Sequence, residues 1–264
     1  MINPWITIVI CYRDREYIRA LCCLQSLLNQ TDKRFEIIIS DYGSKQIDIS
    51  PIITEFPELK VQVIRTETDE VWSRSIALNI GLKAAKTKFV MTTDIDMLFD
   101  PRFIEAANKR VRRDDNKMLL HKQIYDTHPQ KKLEDILEGL KSNNFWTNLW
   151  DYVPNSTRFS GGGACQVMLR KHVYTIGGFD EEMRIWGGEE CDLMERWKQK
   201  GWGIQDHNET KFIHMYHRPT KSISRTKWET DQIKKNTHIY NATCKRVRPI
   251  VRNDGPWAYQ DFYQ

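Results

Sequence analysis

The 264-residue chain has no apolar run approaching the ~20 residues that cross a bilayer, which sets a helical membrane span aside. Its opening, MINPWITIVICYRDR, lacks a basic flank and a small-residue cleavage site, so it reads as a first strand rather than a secretion leader. Cysteine is sparse. Cys11, Cys22, Cys23, Cys165, Cys191 and Cys244 are spaced like neither a zinc site nor a compact disulfide framework. Reduced thiols and a cytoplasmic location are therefore expected, and in that setting N-x-S/T triplets such as those at 155, 208 and 241 carry no weight. There is no internal repeat, no low-complexity tract and no nucleic-acid-binding motif, so a nucleic-acid partner is not expected.

What is present is ordinary globular composition, 40% hydrophobic and 28% charged, long enough for one large domain or two small ones. The net charge of +5 is uneven: Lys211 to Arg252 holds eleven Lys/Arg against Glu229 and Asp231. A solvated surface accounts for most such runs. The functional reading is peripheral contact with anionic lipid or another polyanion at the inner membrane face.

Hydrophobic patterning divides the chain. Residues 6–12, 35–41, 60–66 and 88–94 read as strands, and 16–30 and 73–86 as helices. The helical faces expected are Tyr17, Leu21, Leu24 and Leu28 in the first, and Ile76, Ile80 and Ala84 in the second. Alternation of continuous apolar strands with helices predicts an α/β fold, a Rossmann-like and mostly parallel central sheet flanked by helices. Ligands of such sheets bind at the carboxyl ends of the strands, where Tyr12-Arg13-Asp14-Arg15, Asp41-Tyr42-Gly43-Ser44 and Asp94-Ile95-Asp96 fall. Beyond residue 100, an amphipathic helix is expected from 131, with Leu133, Ile136, Leu137 and Leu140. A glycine turn into a strand follows at 161–170, then a glycine-rich loop feeding a helix that Gly201 closes, and a short strand at 211–219. From about 220 a helical and then irregular extension is expected. One domain over 1–218, in two halves (1–100 and 101–218), followed by a basic extension over 219–264, is expected.

Asp94 and Asp96 alternate onto one face of an extended chain, and two neighbouring acids call for a cation. Oxygen ligands suit Mg²⁺ or Mn²⁺. Solvated turn acids are the bland reading of that pair. His214 and His217 reach one ion only if the chain turns between them; with carboxylate they favour Mn²⁺. In RIWGGEECD, Glu189 and Glu190 at a helix start complement the helix dipole, worth ~0.3–1 kcal/mol, which suffices for one acid. The second suits a general base, and Gly187-Gly188 would let Trp186 fold over a ligand. Arg13, Arg15 and Arg74 lie on the same expected edge and suit phosphate oxygens. A metal beside such arginines describes a nucleotide-diphosphate site.

In order and spacing these motifs resemble glycosyltransferases of the GT-A fold. The segment ITIVICYRDREYIRALCCLQSLLNQTDKRFEIIISDYGS is similar to the opening of family 2 glycosyltransferases. WSRSIALNIGLKAAKTKFVMTTDIDM resembles the galactosyltransferase succession of Arg, Asn-x-Gly and Asp-x-Asp. RFSGGGACQVMLRKHVYTIGGFDEEMRIWGGEECDLMERW resembles the galactosyltransferase C-terminal module, polypeptide N-acetylgalactosaminyltransferases and bacterial chondroitin-type polymerases. The likeness spans about residues 5–219. It implies a UDP-sugar donor, a glycan or lipid-linked glycan acceptor, and Mn²⁺ or Mg²⁺ as cofactor. It further implies that Tyr12, Arg13, Arg15, Asp41, Arg74, Asp94 and Trp186 bind the donor, and that Gly187, Gly188 and Glu189 touch donor sugar or acceptor. Asp96, His214 and His217 would be the metal ligands, and Glu190 the base of an inverting transfer. Asn follows the Trp-Gly-Gly-Glu run in retaining N-acetylgalactosaminyltransferases, whereas Glu190 stands here. The alternatives are a retaining UDP-GalNAc-type transferase and a non-catalytic nucleotide-sugar-binding protein.

Overall fold

A computed structural model describes residues 5–114, 116–154, 158–159, 164–217 and 226–253. The first half runs β1 (Ile6–Tyr12), α1 (Tyr17–Leu28), β2 (Phe35–Tyr42), the one-turn α2 (Ile52–Glu55), β3 (Val61–Thr66), α3 (Arg74–Ala84) and β4 (Phe89–Asp94). There follow β5 (Met97–Phe99), α4 (Phe103–Arg113), β6 (Lys117–Leu120), β7 (Gln123–Asp126), α5 (Leu133–Lys141), α6 (Asn144–Thr147), α7 (Leu149–Tyr152) and β8 (Arg158–Phe159). The chain continues through β9 (Cys165–Leu169), α8 (Arg170–Thr175), α9 (Glu189–Gln199), β10 (Gly203–Asp206), β11 (Phe212–His214) and α10 (Lys227–Cys244).

Seven strands form the central sheet in the order β10-β6-β9-β4-β1-β2-β3. All neighbours are parallel except at β9, which runs antiparallel to both β4 and β6. Every residue of β1 is buried, because both sheet faces are covered. Ile6, Ile8 and Ile10 face a core shared with α1 and α4, while Val9 and Cys11 face one built from α3 and α9. Gly81 lets α3 approach closely: a Cβ there would sit 2.4 Å from Val9 Cγ1.

The helical faces are shifted from expectation. In α1 the deepest residues are Ala20, Cys22, Cys23, Leu24 and Leu27, and only Leu24 belongs to the expected stripe; Tyr17, Leu21 and Leu28 are half-buried. The helix packs on the sheet core through Ala20, Cys23, Leu24 and Leu27. Through Cys22 it packs on a second cluster with α5, so no single stripe describes it. In α3, Ala77, Leu78 and Leu82 replace the expected Ile76, Ile80 and Ala84 as the buried set. Ile136 and Leu140 of α5 are fully buried as expected. The glycine turn at 161–163, the boundary at 218/219 and the end of the tail from 254 lie outside the described residues.

A second sheet, β5-β11-β7-β8, stands beyond the carboxyl end of β4. β11 pairs antiparallel with β5 and parallel with β7, so His214 lies opposite both Met97 and Asp126. That register brings the second half of the chain to the end of β4.

Candidate active site

The strands of the large sheet end in register. Cys11 pairs with Asp94, Tyr12 with Asp41, and Asp41 with Arg65. Three polar groups are built on this edge.

The first centres on Asp96. β4 stops at Asp94 and the chain turns at Ile95–Asp96. Asp96 is only 5% exposed, and its Oδ2 lies 3.3 Å from His217 Nε2, 3.8 Å from His214 Nε2 and 3.8 Å from Arg15 Nη2. Among the described residues, Asp96, His214 and His217 form a group whose ligand atoms all lie within 4.8 Å of one another. β11 ends at His214 and the strand does not continue to His217, and both imidazoles face one carboxylate. Burial alone would raise the Asp96 carboxyl, but the His217 hydrogen bond with the His214 and Arg15 charges holds it well below the usual carboxylate range. His214 Nδ1 lies 2.6 Å from Asp126 Oδ1. A proton shared there leaves Nε2 to face Asp96, the arrangement that orients metal-binding imidazoles. The histidine segment is itself clamped: buried Arg19 donates to the Met215 and Tyr216 carbonyls, and Met215 N donates to Asp96 O at 2.8 Å.

The second group centres on Arg74, buried at the start of α3. Its Nε donates to Asp94 Oδ1 at 2.9 Å and its Nη1 lies 2.5 Å from Glu190 Oε1. Burial opposes the guanidinium charge, but the two carboxylates outweigh it and keep the group charged. Asp94 therefore turns to Arg74 rather than joining Asp96 on one face, a correction to the alternation argument, whose cause is the turn after β4. Cys11 Sγ also donates to Asp94 at 3.4 Å, and burial followed by the Asp94 charge keeps it a thiol. Glu189, next to Glu190, is 3% exposed, and among the described residues its Oε2 has no hydrogen-bond partner. Burial, then the Glu190 charge, pushes its carboxyl up to about 8 against the opposing pull of Arg74. The segment before α9 carries left-handed backbone at Ile185 (φ 65°), Gly187 (φ 105°) and Gly188 (φ 94°). Gly188 is the residue from which α9 starts.

The third group holds wholly buried Asp41, whose carboxylate accepts from Arg65 Nη1 at 3.2 Å and from the Ser44 amide at 3.2 Å. Tyr12 is buried and its hydroxyl donates to the Arg15 carbonyl at 2.6 Å, fixing the turn that follows β1. Arg13 Nη1 donates to the Glu70 carbonyl at 2.7 Å, so its guanidinium faces the 70s loop and not the Asp96 group.

The expected residues thus fall into three neighbouring sets. Asp126, Arg65, Arg19 and Asn236, discussed below, were not anticipated. Asp126 and Arg65 owe their places to strand register, Arg19 and Asn236 to helix docking, and neither is visible locally in the sequence. All six cysteines are free thiols, and no described helix is long and apolar enough to cross a membrane.

The model of glycosyl transferase family 2 matches residues 7–175. The chain belongs to glycosyl transferase family 2. The model of the N-terminal domain of galactosyltransferase matches residues 145–218, the part that carries Trp186, Glu190, His214 and His217. Chondroitin synthase of Escherichia coli is 28% identical over 232 residues, covering 76% of this chain and 33% of that protein. Hyaluronan synthase of Pasteurella multocida is 30% identical over 203 residues, covering 66% of this chain and 21% of that protein. The chain thus spans a third or less of the length of these relatives. The crystal structure of GalNAc-T7 with UDP, GalNAc and Mn²⁺ superimposes with a TM-score of 0.64 at 15% identity, over 90% of this chain and 48% of that one. The fold of this family 2 chain is GT-A, with a largely parallel central sheet flanked by helices.

Proposed function

We propose that this family 2 domain transfers a sugar from a UDP-sugar to a glycan hydroxyl in a metal-dependent reaction. The observation that carries the reading is the convergence of Asp96, His214 and His217 at the end of β4, beside Arg15. Cis ligands of an ion with ~2.1 Å bonds lie about 3 Å apart, close to the Asp96–His217 separation of 3.3 Å. A mixed carboxylate and imidazole set suits Mn²⁺ better than Mg²⁺. An ion held there would neutralise the departing diphosphate.

The chain's own residues do the rest. Arg15, flanking Asp96, binds diphosphate oxygens, with Arg13 on the same turn. Asp41 reads the uracil edge, held in place by Arg65 and the Ser44 amide. Asp94 fixes Arg74 at the donor, Tyr12 shapes the turn carrying both arginines, and Trp186 covers the sugar. Gly187 and Gly188 let the backbone approach the ligand, and Glu189 presents a neutral carboxyl to a sugar hydroxyl. Glu190, held by Arg74, takes the proton from the acceptor hydroxyl as it attacks the anomeric carbon, and inversion follows. The names of the matched relatives, chondroitin synthase and hyaluronan synthase, support a glycan as the acceptor. Residues 1–100 act as the donor half and 101–218 as the acceptor and metal half, and the extension from 219 offers cations to a membrane surface. Two of those cations, Arg248 and Arg252, are already paired with Asp180, Glu182 and Asp192.

The Arg74–Glu190 pair favours a second reading, in which Glu190 only orients Arg74 and the product retains the donor configuration. UDP release measured over a panel of UDP-sugars with Mn²⁺ tests the first reading. NMR of the anomeric proton of the product separates the two. No UDP release from any donor, with or without glycan acceptors, would overturn both.

A further inference from the structure

Helix α10 lies beyond both matched segments, which end at residues 175 and 218. Yet Asn236, in its middle, is wholly buried and spends its whole amide on the backbone before Glu190. Its Nδ2 donates to the Arg184 carbonyl at 2.8 Å and the Trp186 carbonyl at 3.2 Å, and its Oδ1 accepts from the Arg184 amide at 3.3 Å. One turn to either side, Ile233 and Tyr240 back the glycines. Added Cβ atoms would lie 4.0 Å from Ile233 at Gly187 and 3.8 Å from Tyr240 at Gly188.

The backbone so held is costly. Ile185 is β-branched and left-handed (φ 65°), a conformation that persists only where the surroundings over-determine it. One side of that constraint is the segment leading into α3: Ile185 N donates to Trp72 O at 2.8 Å, and Ser73 Oγ to Met183 O at 3.0 Å. The other side is Asn236. α10 in turn is fixed to α9, the helix that Glu189 and Glu190 open. Thr243 Oγ1 donates to Asp192 Oδ1 at 2.5 Å, Gln199 Nε2 to Thr243 O at 2.7 Å, and Arg252 reaches Thr243, Asp180 and Asp192.

We infer that Asn236 is a positioning residue of the transfer site: it sets the strained 184–186 backbone that presents Trp186 and aims Glu190, making α10 a working part of the active site. The inference rests on the transfer reading for its catalytic consequence, while the brace itself is independent of it.

Two measurements on the full chain test it. Asn236→Ala is expected to lower turnover at saturating UDP-sugar at least tenfold while leaving the Kd for UDP with Mn²⁺ within twofold. Amide exchange of the apo protein should rise in 183–190 and stay unchanged in 212–217. Asn236→Asp, which keeps the side-chain size and the acceptor for the Arg184 amide but sets a carboxylate oxygen against the Arg184 and Trp186 carbonyls, should lose at least as much as Ala in both readouts. A folded Asn236→Ala with turnover within twofold, or with unchanged exchange in 183–190, overturns the inference. So does a loss of UDP affinity equal to the loss of turnover, or a failure of both variants to fold, which would make Asn236 a general prop. Exchange needs no substrate. A wild type inert towards every UDP-sugar therefore sinks the transfer reading and the catalytic consequence, while unchanged exchange beside an active wild type sinks the brace alone.

Discussion

Asp94 and Asp96 are two residues apart, yet they meet different counter-charges. Asp94 is answered from inside the fold by Arg74, itself shared with Glu190. Asp96 is answered by two imidazoles and a half-exposed arginine. The Arg74 guanidinium is buried and charged at every working pH, whereas the Arg15 guanidinium beside Asp96 is half exposed. One acid is therefore neutralised permanently by the chain. The other faces two imidazoles, and carboxylate with imidazole nitrogen is a donor set that suits a divalent ion. The acid-x-acid motif is one acid for the arginine and one for the ion.

Substitutions break that comparison in graded ways. Asp96→Ala should cost at least about 10³-fold in turnover and remove Mn²⁺-dependent UDP binding, read by calorimetry with and without metal. Glu190→Gln should lower kcat by about 10²–10³-fold with UDP affinity nearly unchanged; full activity would remove the base assignment and leave Glu190 as the anchor of Arg74. Asp94→Asn should cost about 10²-fold in turnover through Arg74 while Mn²⁺ affinity stays near wild type, and equal loss of metal by both Asp variants would contradict the division between them. Asp126→Ala should weaken Mn²⁺ binding by about 10–100-fold through loss of the His214 orientation, measured by metal titration.

The smallest effect concerns Glu189. Its carboxyl titrates near 8 in the folded chain and in the ordinary glutamate range when unfolded. The native state therefore holds the proton more tightly. This contribution to stability is fully present below the unfolded value and is lost as pH rises through about 8. Glu189→Gln lacks that loss, so its Tm relative to wild type should climb between about pH 4.5 and 8. A constant difference would place the burial argument in error.

Much of the fold was legible because β1, β2 and β4 each carry an apolar stretch of three or more residues, as strands covered on both faces do. In the region from 101 to 130 the signal is fainter: Phe103, Ile104, Ala107 and Val111 of α4 stand at helical spacing among charged residues. β10, with the half-exposed sequence GIQD, offers no alternation to read. The buried faces of α1 and α3 were misjudged because close packing favours Ala20, Ala77 and Gly81 over larger residues, and a stripe of large residues points elsewhere. In the site, His214 and His217 were legible as a spaced pair, and their meeting with Asp96 depends on β11 ending at His214. Asp126 was not legible: it reaches His214 only because β7 and β11 pair in parallel. Asn236 is an unremarked polar residue in a polar helix until that helix docks.

Calorimetric titration of UDP into wild type and Asp96→Asn, each with and without Mn²⁺, probes the core claim most directly. The account predicts that wild type binds UDP at least about tenfold more tightly with the metal, and that the Asn variant loses this difference while staying folded. Equal UDP affinity in all four titrations would contradict it.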